Sequence, residues 1–173
     1  MRKTMVPVCC LFALVLAYAA PQAAVAQQQL FAHLRAFDEV PAIFSPGGGF
    51  FNATVSPDGT SISYTLEYHN LAGNVLQSHF HIAQPGVNGG IMIFLCSNLG
   101  NGPAGTQPCP PDPATISGTI TADNVIAVGS QGIPKGGLFA VLRAIKFGRI
   151  YANLHTDLYP GGEIRGQVSI INP

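Results

Sequence analysis

Between Ser61 and His69 the chain alternates strictly, with Ile62, Tyr64, Leu66 and Tyr68 separated by Ser63, Thr65 and Glu67. A side-chain period of two belongs to a strand with one face buried and the other wet. It does not fit a helix, whose faces repeat about every 3.6 residues. The turn Pro57-Asp58-Gly59 starts this strand. The same reasoning predicts strands over residues 30–37, 49–56, 75–83, 115–121, 149–155 and 163–170, while the continuous apolar run 91–95 reads as a strand buried on both faces. Seven or eight strands punctuated by Gly, Pro, Asn and Asp predict an all-β antiparallel sandwich or barrel. Two short helices interrupt it. One is expected over residues 122–128 behind Thr121, the other over residues 137–147, where Leu138, Val141, Leu142 and Ile145 keep helical spacing up to Gly148.

The first 26 residues follow a different rule. Arg2 and Lys3 precede an apolar run over residues 5–20, and Ala24-Val25-Ala26 offers small residues for processing, which is the pattern of a secretory signal peptide. The run falls short of the roughly 20 residues a membrane-spanning helix needs. Residues 27–173 are then one exported domain, secreted or periplasmic, with no membrane anchor after cleavage. Removal of the leader takes Cys9 and Cys10 with it and leaves Cys96 and Cys109, expected to form a disulfide across the 97–108 loop; two unrelated thiols are the alternative. No Cys-x-x-Cys is present to suggest a redox motif or zinc knuckle. The remaining chain has six basic and eight acidic residues, which argues against a nucleic-acid partner. Asn52-Ala53-Thr54 is a glycosylation sequon, relevant only in a eukaryotic host.

In a chain only 9% charged, grouped polar residues stand out. Strand alternation places Gln77, His79 and His81 on one face, and Tyr151, Asn153 and His155 on one face of a later strand. Beyond the turn Tyr159-Pro160-Gly161-Gly162, for which type II geometry predicts special backbone angles at both glycines, Glu163, Arg165 and Gln167 also share a face. His79 and His81 sit about 6.5 Å apart along their strand, within reach of one ion, and His155 is a candidate third ligand. An all-imidazole set suits copper or zinc. Asn153 and Glu163 are candidate outer partners of those rings. The bland alternative is that the histidines bond to backbone or to Glu163 and close the sandwich. Glu163 and Arg165 are expected to pair and staple the terminal hairpin, the alternative being a guanidinium that steers anions. His33 and His69 look solvent-facing.

The His79-x-His81 strand with Gly86-x-Asn88-Gly89, then Tyr151-x-Asn153-x-His155-Thr156 and Pro160-Gly161-Gly162-Glu163-Ile164-Arg165-Gly166-Gln167, resembles the chordin-type (CHRD) domain over about residues 34–168. The resemblance implies an immunoglobulin-like β-sandwich or barrel distantly similar to copper/zinc superoxide dismutases, and no settled biochemical role. The chain lacks the cysteine-rich modules that accompany this domain in chordin, so growth-factor antagonism is not expected. Residues 83–153 hold no histidine, which leaves a dismutase-like copper enzyme without its bridging and zinc ligands. Ser97, Ser117 and Ser130 lack a Gly-x-Ser-x-Gly setting, which disfavours a hydrolase. The expectation is an exported non-catalytic domain with a binding or structural role toward an unidentified extracellular or periplasmic ligand, its finer form being a copper or zinc site on the histidines. A purely structural or adhesion module is the alternative.

Overall fold

The computed structural model describes residues 27–171. The leader, its processing site and Cys9 and Cys10 lie outside them. The chain forms strands β1 (Gln29–Arg35), β2 (Gly48–Val55), β3 (Ile62–His69), β4 (Val75–Ile82), β5 (Gly90–Ser97) and β6 (Ala114–Ile120), helix α1 (Leu138–Lys146), then β7 (Ile150–Thr156), β8 (Ile164–Gln167) and β9 (Ser169–Ile170). All pairings are antiparallel, in the order β5-β4-β7-β8-β1-β2-β3-β6, with β9 also against β1. The sheet curls into a nearly closed barrel, one of the two forms that the family resemblance implies. Phe51, Leu66, Phe80, Leu95, Leu154 and Ile164 are among the side chains packed inside it.

The two outer strands of this order, β5 and β6, are brought together by the segment between them. Cys96 and Cys109 are disulfide-bonded, their Cα atoms 5.1 Å apart. Gln107 works beside that bridge: its side-chain amide donates to the carbonyls of Leu95 on β5 and Ser117 on β6, and its carbonyl accepts from the Ser97 amide. The expected bridge is therefore present, and it holds the loop before β6 against β5 where the barrel stays open. Among the described residues no helix is long and apolar enough to cross a membrane.

Three local features depart from the sequence pattern. In β5 the apolar run does not mean burial on both faces. Bulges between Ser78 and His79 and between Phe80 and His81 shift the β4–β5 register. Met92 and Ile93, then Leu95 and Cys96, are consequently buried while Ile91 and Phe94 are half-buried. The helix expected over residues 122–128 is only a 3-10 turn, Ala122–Asn124. Its continuation is pre-empted because the Ile126 amide donates to Met92 O on β5. The terminal strand breaks at buried Val168, so that β8 bridges β7 and β1 while β9 stays with β1. Helix α1 agrees with its prediction, burying Leu138, Val141 and Ile145 and ending before Gly148, whose φ is +64°.

Candidate metal centre

Strands β4 and β7 are adjacent, and their register fixes which side chains meet: Gln77 faces His155, His79 faces Asn153 and His81 faces Tyr151. On β4, Ser78 and Phe80 turn toward the barrel interior, which sends His79 and His81 to the outer face. That face is covered. Asn88 donates to Val40 O, Asn153 bonds Glu39 and Ser45 bonds Glu163, so residues from the 39–45 and 86–89 segments fold over β4, β7 and β8. Every residue of β7 is buried as a result.

His79, His81 and His155 converge under this cover, 0%, 7% and 6% exposed. The His79 ring centroid lies 5.4 Å from that of His81 and 4.9 Å from that of His155. One nitrogen from each falls within 4.8 Å of the others. His81 Nδ1 is 2.9 Å from Gly89 O, and His155 Nδ1 is 3.0 Å from Pro160 O. A carbonyl accepts only, so both rings carry their proton on Nδ1, which leaves each Nε2 a lone pair. Among the described residues neither Nε2 has a partner, nor does either nitrogen of His79.

Burial disfavours charge on these rings. It lowers the His79 pKa to about 2, with His155 and His81 adding repulsion. His81 is lowered to about 4, chiefly by burial; the Gly89 carbonyl opposes this while His155 and Arg165 add to it. His155 is lowered by burial against the pull of Pro160 O. All three are neutral imidazoles at pH 7, the protonation state in which imidazole ligates a metal.

The sequence misassigned the groups around the rings. Asn153 shares their face, but its amide donates to Glu39 Oε1 and to Ile164 O at 3.3 Å. Glu163, fully buried, accepts at Oε1 from Ser45 Oγ (2.5 Å) and the Ala72 amide (2.6 Å), and at Oε2 from Thr156 Oγ1 (2.6 Å). It is neither an outer partner of the imidazoles nor the mate of Arg165, and among the described residues Arg35–Asp38 is the ion pair formed. Loop residues distant in sequence reach Glu163 first. Arg165 instead donates to Asn88 Oδ1 and Val87 O, and its guanidinium lies 3.4 Å from the Tyr151 ring centre. Tyr151 in turn stacks on His81, centroids 4.7 Å apart and planes 1° from parallel. Glu39, which alternation had not singled out, has its carboxyl pushed up to about 7 by burial, against the lowering effect of Arg165. His33 and His69 are exposed, as expected.

Gly89 shows why part of this centre is glycine-coded. A Cβ there would lie 1.8 Å from Ile82 O, so only glycine lets the loop approach closely enough to present its carbonyl to His81. In the terminal turn only Gly162 has a positive φ, +132°; Gly161 does not, which corrects the type II expectation. A CHRD domain family model matches residues 30–168. No curated protein and no solved structure matches the chain.

Proposed function

Because the chain belongs to the CHRD domain family, we propose that it is an exported, non-catalytic binding protein that holds one copper or zinc ion on His79, His81 and His155. The observation that carries this reading is the set of four buried ring nitrogens without hydrogen-bond partners in a single cluster. Each buried unsatisfied polar group costs about 1–3 kcal/mol, and a shared cation would satisfy one nitrogen of each ring together. His81 and His155 would ligate through Nε2, their Nδ1 protons held by Gly89 O and Pro160 O as outer partners that fix tautomer and ring orientation. The ion, once bound, would supply a positive centre bridging β4 and β7. Export is supported by the leader pattern of residues 1–26 and by the disulfide, and the compartment would be secreted or periplasmic. A dismutase-like reaction finds no support, because residues 83–153 contribute no histidine for a second metal.

Metal analysis of protein purified from its exported fraction, with calorimetric titration of the metal-free form, tests the proposal. One equivalent of copper or zinc is expected, and an ion at a hundredfold excess over its dissociation constant would stabilise the fold by about 2.7 kcal/mol. His81→Ala should abolish both effects. Equal binding by that variant, or no binding by the parent, overturns the reading.

A further inference from the structure

We infer that the imidazole cluster selects the cuprous ion over divalent zinc or copper. The inference rests on the proposal that the cluster binds metal, and goes beyond it by naming the charge state the surroundings accept.

The ligands and their anchors are all uncharged. A metal-binding histidine donates its second ring proton to a carboxylate, a backbone carbonyl or water, and of these only the carboxylate feeds negative charge toward the metal. Here both anchors are backbone carbonyls, of Gly89 and Pro160. The two buried carboxylates nearby are engaged elsewhere, Glu39 with the Asn153 amide and Glu163 with Ser45, Ala72 and Thr156. The charged side chain that acts on His81 is a cation, Arg165, with the Glu39 carboxyl lying behind it. Arg165, 2% exposed, covers Tyr151, whose opposite face covers His81. The cost of burying an ion in a medium of low polarity rises with the square of its charge, so a neutral cage with a guanidinium behind it penalises a divalent ion far more than a monovalent one.

Coordination number points the same way. Zinc in proteins is almost always four-coordinate, so on three histidines it needs a water as its fourth ligand, and the cover over the cluster would have to admit one. Among the described residues the cluster offers three donors, all under the cover, and the nearest phenol is occupied, since Tyr151 Oη accepts from the Gly89 amide at 3.3 Å. A cuprous ion, which accepts three-coordinate ligation, would be satisfied by the three imidazoles alone. Among the described residues no cysteine offers it a competing thiolate, because Cys96 and Cys109 are joined.

The test titrates the metal-free protein purified from its exported fraction, over residues 27–173 and so without Cys9 and Cys10, with cuprous ion against a colorimetric cuprous chelator, under anaerobic conditions with ascorbate as reductant, and with zinc against a zinc indicator. Cuprous binding at one equivalent and at least a hundredfold tighter than zinc is expected, with a cupric/cuprous potential above that of the aqueous couple. Zinc binding as tight as cuprous binding overturns the inference while leaving the metal site standing; failure of both ions overturns the metal site itself. Arg165→Gln should keep one equivalent of copper but lower the potential and narrow the cuprous preference. An unchanged potential in that variant refutes the charge argument, and circular dichroism confirms that the variant is folded before it is read.

Discussion

Two buried polar centres share the β4, β7 and β8 face, and they are built on opposite principles. Around Glu163 every contact is closed: a hydroxyl and an amide reach one oxygen and a second hydroxyl the other, joining Ser45, Ala72 and Thr156 to the start of β8. Around His79, four buried ring nitrogens have no hydrogen-bond partner among the described residues. Both centres are almost completely buried, so desolvation does not distinguish them. What differs is the accounting of donors and acceptors. A closed centre holds the fold together, whereas an open one is destabilising until something enters it.

The sharpest way to break this contrast is to replace one member of each centre with leucine. Glu163→Leu strands the Ala72 amide and two hydroxyls and should cost about 3–5 kcal/mol in denaturant unfolding, with or without metal. A cost below about 1 kcal/mol would mean that the Glu163 centre does not carry the fold. Next comes the turn that links the centres. Gly162 combines a φ of +132° with a Cβ position 2.7 Å from both Asn153 Nδ2 and Glu39 Oε1, whereas a Cβ on exposed Gly161 meets nothing within 4 Å. Gly162→Val should therefore lose about 1–3 kcal/mol by thermal unfolding and Gly161→Val no more than about 0.5 kcal/mol. Equal losses would return the strain to both positions.

Acidity separates the centres more gently. The folded imidazoles titrate below their ordinary 6.5, His81 at about 4 and His79 at about 2. The unfolded chain therefore takes up protons first, and the metal-free protein should lose stability as pH falls from about 6.5 toward 4, each proton contributing up to about 1.4 kcal/mol per pH unit. Glu39 opposes this. Its folded pKa of about 7 exceeds its ordinary 4.5, so its contribution is full below 4.5 and disappears as pH rises through about 7. Three imidazoles outweigh one carboxyl, and Glu39→Gln should steepen the decline. Urea melts at pH 7 and pH 5 read the sign, and a metal-free protein more stable at pH 5 would contradict neutral buried rings. The smallest effect is the most diagnostic. His79→Leu, close in volume and free of polar atoms, should leave metal-free stability unchanged or raise it by up to about 1 kcal/mol while abolishing stabilisation by metal. A clear loss in the metal-free state would make His79 a structural residue like Glu163.

How far the sequence revealed these centres depended on whether the signal was local. Alternation located the principal strands, and the His79-x-His81 spacing with His155 identified the three rings that meet. The partners were not legible. Glu163 is completed by Ser45 and Ala72, brought in by separate loops, and the imidazole anchors are main-chain carbonyls that any residue type carries. The same limit explains β5, where two bulges break the period from which burial is inferred, and the short 3-10 turn, where a bond from Ile126 to β5 overrides helical spacing.

The tie between β5 and β6 has a consequence for how the molecule behaves in company. Edge strands expose unpaired amides and carbonyls that recruit other chains into continuous sheets. Here Cys96–Cys109 pins the loop before β6 to β5, and Gln107 in that loop occupies carbonyls on both outer strands of the path. Loss of that bond would do more than loosen a loop: it would free two templates at once, in a chain whose β5 core is Met92-Ile93-Phe94-Leu95. Reduction is therefore expected to promote self-association as well as unfolding.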